Sequence, residues 1–319
     1  MAIYLVTGCA GFIGSTLVEA LLKRGERVRG LDNFETGKRE NLTPLLDRME
    51  FLESDLRDAD AMLDACRGVD FVFHAGAVAS VPRSVEDPRT SHSANVKGTF
   101  NLLEAARAAG VKRVVYSASS SAYGDQPGLP RRETMVPAPI SPYAVQKLVG
   151  EYYMSSYWQV YGLETVNLRY FNIFGPRQDP SSPYSGVMAR FALQMLRGEQ
   201  PTIFGDGEQG RDFTYIDNVV SANFLAMEAS AEKVAGRVFN VGCGEQHSLN
   251  ETYRLLGDLI GFDRKPKYGQ ARQGDVRDSL ADISAARNAF GYEPLVGFEE
   301  GLRRTVAWYR EQYGAGASK

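Results

Sequence analysis

The sequence predicts an α/β fold built on a doubly wound parallel sheet. Three observations carry that expectation. Strand-like and helix-like patterns alternate from the first residues onward. The first apolar run, Ile3-Tyr4-Leu5-Val6, leads at once into the glycine-spaced stretch TGCAGFIG at 7–14. The second strand pattern ends in an acid, Asp32, 18 residues beyond Gly14.

Taken in order, Ile3 to Thr7 reads as a buried strand, Phe12 to Lys23 as an amphipathic helix and Arg27 to Leu31 as the next strand. A short strand at 51–53 leads into a helix around 59–66. Strands follow at 70–74 (DFVFH) and 113–117 (RVVYS), with a strong helix pattern over 95–109 between them. A long helix over 142–161 precedes a strand over 164–170. This rhythm implies parallel strands with helices on both faces. After about Phe174 it loosens. Pro, Gly and Asp punctuate 175–210, and VFNVG at 238–242 is the clearest late strand. The expected division is a main domain over 1–174 and a smaller substrate-side region over 175–319, interleaved with the end of the first.

Composition bounds the function. The chain has 319 residues, 44% hydrophobic and 24% charged, which suits a globular protein with a full core. A formal net charge of −3 offers no electrostatic case for nucleic acid or an anionic membrane surface. No apolar run reaches the roughly 18 residues of a membrane-spanning helix. The N-terminus enters a strand directly, without the basic and apolar segments of a signal peptide. Cys9, Cys66 and Cys243 are an odd, scattered set that fits a reducing compartment, so a cytoplasmic location is expected. His74, His92 and His247 show no metal-ligand spacing, and no metal is expected.

The glycine loop sits between a strand and a helix within one βαβ unit. Gly8, Gly11 and Gly14 let a phosphate approach the backbone, and the helix start near Phe12 offers free N–H groups and a positive dipole end. The spacing Gly-x-x-Gly-x-x-Gly departs from the usual Rossmann fingerprint, so the loop alone is a weak signal. Asp32 strengthens it, because a carboxylate there can accept from the adenosine ribose hydroxyls. The same carboxylate repels a 2′-phosphate and favours NAD over NADP, with Lys38 and Arg39 close enough to soften that preference. Asp55 reads equally as a strand-end residue near the adenine and as an N-cap for the next helix.

The stretch SPYAVQK places Tyr143 and Lys147 on one face of a helix. An ammonium beside the phenol is expected to lower its pKa from about 10 and make it a general base. The preceding strand ends in YSASSSAYGD, which brings Ser119, Ser120 and Ser121 to the end of the sheet where such folds bind ligands.

TGxxGxxG, the strand-end Asp, the turn His74-Ala75-Gly76-Ala77, the serine-rich strand end and YxxxK, in this order, resemble the extended short-chain dehydrogenase/reductases over nearly the whole chain. RYFNIFGPRQDP (169–180), GDGEQGRDFTYIDNV (205–219), NVGCGE (240–245) and ARQGDVRDSLADISAAR (271–287) narrow the resemblance to the UDP-hexose 4-epimerases. Gly76 departs from the family, which often carries Ala there, without consequence for the chemistry.

The resemblance implies a tightly bound NAD held by Gly8, Gly11, Phe12, Ile13, Gly14, Asp32, Asn33, Asp55, Leu56, Ala75, Gly76, Ala77, Tyr143, Lys147 and Tyr170. It makes Tyr143 the group that takes the proton of the sugar 4-hydroxyl. Lys147 holds the nicotinamide ribose, and Ser119 bonds the same hydroxyl. Hydride passes from C4 to NAD, the sugar turns, and the hydride returns to the other face. Substrate contacts fall on Ser119, Ser120, Ser121, Tyr143, Asn172, Arg211, Arg272, Asp275 and Ser279. Asn172, Arg211 and Arg272 serve the diphosphate and Asp275 the uridine ribose. Ser279 stands where the family gates the C2 substituent; a serine leaves room for N-acetyl, so UDP-glucose/UDP-galactose and UDP-GlcNAc/UDP-GalNAc are both expected.

Ser120-Ser121 replace the Asp-Glu pair of the related 4,6-dehydratases, and Ser121 the Glu usual in UDP-glucuronate decarboxylases. A non-catalytic dinucleotide sensor is expected to lose Tyr143 or Lys147. A UDP-glucuronate 4-epimerase remains an alternative, with Arg177 and Arg190 unplaced. The family pairs the helices around 95–109 and 143–161 across a homodimer as a four-helix bundle, and Phe100, Leu102, Leu103, Leu148, Tyr152, Tyr153 and Trp158 are the candidate residues.

Overall fold

In a computed structural model of the protein, which describes residues 1–180, 186–270 and 276–314, seven strands form one sheet. They are β1 (Ile3–Thr7), β2 (Arg27–Asp32), β3 (Glu50–Glu53), β4 (Phe71–His74), β5 (Arg113–Ser119), β6 (Glu164–Tyr170) and β7 (Arg237–Val241). Their spatial order is β7-β6-β5-β4-β1-β2-β3, and every neighbouring pair is parallel. The order reverses between β1 and β4, where a crevice opens at the strand ends.

The strands are apolar on both faces because both faces are covered. Along β1, Tyr4 and Val6 face one core and Leu5 the other. The first core takes Leu17, Val18, Leu21 and Leu22 of α1 (Phe12–Lys23). The second takes Met62, Ala65 and Cys66 of α2 (Ala59–Cys66), Leu102 and Leu103 of α3 (Gly98–Ala109), and Met154 and Tyr157 of α4 (Pro142–Tyr161). A further helix, α5 (Ile216–Glu228), lies on the α1 side, with Val219, Ala222 and Ala226 buried.

Asp32 and Ser119 end β2 and β5 as their last residues, as the sequence implies, and one element differs from the expectation. The single helix pattern over 95–109 is divided into a π-helical turn at Ser93–Lys97 followed by α3. There the Asn95 side chain turns inward, accepting from Val78 N at 2.7 Å and donating to Gln146 Oε1 at 2.8 Å. A Cβ at Gly98 would stand 2.8 Å from Leu56 Cβ, so the helix approaches that residue as closely as glycine permits.

Residues from 173 onward build small ladders beside the sheet. Ile173–Phe174 pairs with Thr214–Tyr215, Gly210–Arg211 with His247–Ser248, and Thr202–Phe204 with Lys267–Gly269. β7 returns from this region to complete the main sheet beside β6.

Candidate active site

The crevice at the β1/β4 switch is a cleft of about 740 Å³. Gly8, Gly11, Phe12, Ile13, Gly14, Asp32, Asn33, Asp55, Leu56, Ala75, Gly76 and Ala77 all line it. The glycines are steric necessities. Gly8 has φ +68°, and a Cβ there would lie 2.6 Å from Gly76 Cα; a Cβ at Gly14 would lie 2.0 Å from Gly8 O. At Gly76 the obstacle is Leu56 Cδ1 at 2.8 Å, the end of a flexible side chain. α1 begins at Gly11 with no side-chain cap and no acid in its first turn, so no side chain competes for its first amides. A glycine cradle, an open helix start and a long cleft fit a dinucleotide.

Asp32 is buried at its mouth. Its Oδ2 accepts from Ala10 N at 2.9 Å and its Oδ1 from Phe34 N at 2.8 Å, while burial pushes its pKa up. Lys38 pairs with Asp179 at 2.9 Å, and Arg39 with Glu53 at 2.7 Å, so both cations are engaged with other acids. Asp55 accepts from Asn33 Nδ2 at 2.7 Å and from Arg57, whose hydrogen bonds hold its carboxyl down at about 2. The N-cap reading of Asp55 is corrected: Asp58 caps α2 through Asp60 N and Ala61 N. Sequence reasoning missed Glu35, which also lines the cleft and links Arg57 to Arg83. It missed Val78 to Ser80 and Gln178 as well; no spacing signal marks them, because the chain folds them in from separate loops.

His74 is buried at the end of β4, just before the Ala75–Ala77 turn that lines the cleft. Thr99 Oγ1 donates to Asn95 O at 2.7 Å, so it accepts from His74 Nε2 at 2.9 Å. His74 Nδ1 is then the acceptor for Thr7 Oγ1 at 2.7 Å. Burial, helped by the Lys147 charge, brings the imidazole down to about 3.

The catalytic candidates meet where α4 crosses the end of β5. Ser141 caps α4 and Pro142 opens it, which sets Tyr143 in the first turn. Tyr143 is half-buried, its backbone N–H donates to Ser84 Oγ at 3.0 Å, and Ser119 stands near enough to its hydroxyl to favour the phenolate. Ser119 Oγ accepts from Ser121 Oγ at 2.8 Å and from Ser121 N at 3.2 Å, which leaves its own proton for Tyr143. Ser120 is half-buried at the head of the one-turn helix Ser120–Tyr123. Lys147 is buried, and its Nζ donates to Ser117 O at 2.8 Å.

Within the chain itself the Lys147 ammonium does not lower the Tyr143 pKa, contrary to that part of the expectation. Burial pushes the phenol above its ordinary value, opposed by Ser119, while the ammonium is turned to a carbonyl. Burial also brings Lys147 down to about 8.

Ser119, Tyr143, Lys147 and Tyr170 stand outside the cleft's lining. Ser84 connects Tyr143 to it, through the helix Val81–Glu86 whose Arg83 and Glu86 face the cleft. The Tyr170 hydroxyl accepts from Asn223 Nδ2 at 2.8 Å within the core, so the structure does not bring it to the cofactor cleft.

A second cleft, of about 240 Å³, is lined by Asn172, Arg190, Phe204, Gln209, Arg211 and Phe213 among others. It shares Gln178 and Gly186 with the first. Asn172 has φ +26°, and its Nδ2 donates to Asp212 O at 3.0 Å and to Ser279 Oγ at 2.8 Å. Ser279 is laced to the strand before it, donating its N–H to Gly210 O and accepting from Asp212 N. Arg177 is committed elsewhere, pairing with Glu19 and donating to Ser15 O at 3.2 Å. Arg272 and Asp275 lie outside the described residues.

The profile of the NAD dependent epimerase/dehydratase family matches residues 4–242. The UDP-glucose 4-epimerase of Mycolicibacterium smegmatis is 41% identical over 97% of the chain and 98% of its own length. The UDP-glucuronate 4-epimerase of Thermodesulfobacterium geofontis is 35% identical over 98% and 97%. Among solved structures, UDP-glucose 4-epimerase from Thermotoga maritima with UDP-glucose superposes with a TM-score of 0.92 at 41% identity, covering 97% of this chain and 99% of that one. UDP-N-acetylglucosamine 4-epimerase from Methanobrevibacter ruminantium, in complex with UDP-N-acetylmuramic acid, gives 0.91 at 41% identity over 98% and 99%. UDP-glucose 4-epimerase from Thermus thermophilus in complex with NAD gives 0.88 at 40% identity over 97% and 99%. With a matching profile over most of its length and relatives of this identity end to end, the chain belongs to the NAD dependent epimerase/dehydratase family.

Proposed function

We propose that the protein interconverts UDP-glucose and UDP-galactose, and accepts the N-acetylated pair as well, by inverting the configuration at C4 of the hexose. The observation that carries the reading is the Ser119–Tyr143–Lys147 group on α4 and β5, beside a glycine-cradled dinucleotide cleft. NAD, the family's cofactor, supplies a hydride acceptor that returns the hydride within the same cycle.

The chain's residues do the rest. Gly8 to Gly14 and Asp32 hold the dinucleotide. Tyr143 Oη takes the C4 hydroxyl proton and later gives it back. Ser119, oriented by Ser121, bonds that hydroxyl and steadies the phenolate. Lys147 places a positive charge on the same helix face, one turn from Tyr143. Asn172 and Arg211 serve the diphosphate in the second cleft, and Ser279 leaves space beside C2. Arg272 and Asp275 are assigned to the nucleotide on the family pattern alone.

Ser120-Ser121 lack the acid and base of a dehydratase. Arg177 is held against α1, which weighs against its binding a C6 carboxylate. Arg190, in the second cleft, and the 35% identity to a UDP-glucuronate 4-epimerase favour a uronate substrate.

Proton NMR of the purified enzyme with UDP-galactose, UDP-GalNAc and UDP-glucuronate, without added NAD, tests the reading. Conversion of the first two is expected; conversion of the uronate alone would replace the substrate. Ser279→Tyr is expected to remove the N-acetylated activity only, and equal loss of both would count against the gate.

A homodimer through α3 and α4 is part of the same reading. Leu102, Leu103 and Leu148 are consumed by this chain's own packing, whereas Phe100, Val145, Tyr152, Val160 and Tyr161 remain exposed. Light scattering should give twice the 35.1 kDa of the chain.

A further inference from the structure

Behind Lys147 lies buried charge that the reaction outlined above does not use. Glu151 follows one turn later on the same face of α4, and its side chain is 2% exposed. Arg169 on β6 is 4% exposed and grips it with two parallel bonds, Nε to Oε1 at 2.9 Å and Nη2 to Oε2 at 2.6 Å. The guanidinium also covers the Tyr123 ring, 4.6 Å from its centroid. Lys147 lies 4.8 Å from the Tyr116 ring centroid, with a carbonyl rather than a carboxylate as its hydrogen-bond partner.

A buried ion pair is a poor device for stability alone. Desolvating two charges offsets their attraction, and an apolar pair of similar volume often does as well or better. What this pair supplies is a fixed negative charge one turn behind a buried ammonium. Glu151 faces Lys147 from its own helix, Tyr116 from β5, and neutral His74 from β4, with Tyr143 one turn earlier on the same helix. Glu151 is the anion of that set. Arg169 opposes the burial that would neutralise Glu151, and Glu133 faces Arg169 from the far side.

We propose that Glu151 and Arg169 are positioning residues for the reaction: the pair fixes the Lys147 ammonium, charged, beside Tyr143. The proposal rests on the reading of Lys147 given above. Glu151 acts on Lys147 through space along one helix face, and Arg169 acts on Glu151.

The test replaces the whole pair, because Glu151→Gln alone strands a buried guanidinium. Glu151→Leu with Arg169→Met is the main variant, and Glu151→Gln with Arg169→Gln serves where the apolar pair does not fold. Melting midpoint, NAD retained after gel filtration, and the pH profiles of kcat and KM for UDP-galactose are measured. The expected result is a folded protein that keeps its NAD and a KM within about twofold, with kcat at least tenfold lower near pH 8. Its alkaline limb should move to lower pH by about one unit, because Lys147 loses its proton more easily. Glu151→Asp, which keeps the charge, should restore the parental limb. A folded, NAD-loaded double variant with parental kcat and pH profile would overturn the proposal. Lys147→Met, run alongside, separates the two ideas: if it also turns over normally, the assignment of Lys147 itself has failed.

Discussion

At the residue scale the site works by controlling where protons can be. His74 is locked between Thr7 and Thr99 as a neutral imidazole, and burial with the Lys147 charge depresses its pKa to about 3. The unfolded chain's histidine takes a proton near pH 6.5, so unfolding binds protons between those values and stability falls as pH falls below 6.5. Denaturant melts should lose roughly 1 kcal/mol between pH 7 and 5.5 from this group. His74→Gln should flatten that slope, whatever its absolute stability. Tyr143 poses the opposite problem: burial raises its pKa, and the chain's own help comes from Ser119. Tyr143→Phe should cut turnover about 10²–10⁴-fold while NAD remains bound, the range ascribed to a positioned general base. Near-normal turnover would remove Tyr143 from that role.

At the element scale the sheet was legible in sequence because buried parallel strands read as apolar runs and their turns need glycine. The ends of β1, β2, β4 and β5 carry the cofactor and catalytic candidates together. Gly8 is the tightest point, where a positive φ coincides with backbone contact to Gly76. Gly8→Ala should abolish NAD retention in gel filtration or prevent folding. Gly76→Ala should cost less, since its closest obstacle is the end of the Leu56 side chain and Gly8 N and Thr7 Oγ1 stand 3.2 Å away. The π turn at Ser93–Lys97 was not legible. Its cause is tertiary, the inward hydrogen bonds of Asn95 to Val78 and Gln146 and the contact of Gly98 with Leu56. The pKa of Tyr143 escaped for the same reason. Spacing places Lys147 one turn away, but burial and the pull of the Ser117 carbonyl appear only in three dimensions.

At the scale of the whole molecule, the strand-end residues named from sequence, Gly8, Gly11 to Gly14, Asp32, Asn33, Asp55, Leu56 and Ala75 to Ala77, line the first cleft, whereas its loop residues and most of the second cleft carried no sequence signal. The first is built from consecutive strand ends, which periodicity locates. The second gathers residues from 172–174, 186–191, 202–213 and 249, segments whose neighbours are short ladders with little sequence signal. Gln178 and Gly186 line both clefts, and Lys38–Asp179 ties the loop before the second region to the first. In the proposed reaction the first cleft would hold NAD and the second would present the sugar to it. That claim is tested most directly by following UDP-galactose labelled with deuterium at C4 through the enzyme, without added NAD. UDP-glucose should still carry the deuterium at C4, because a cofactor that stays bound would return the hydride it accepted. Product with protium at C4, or no product from any UDP-hexose, would contradict it.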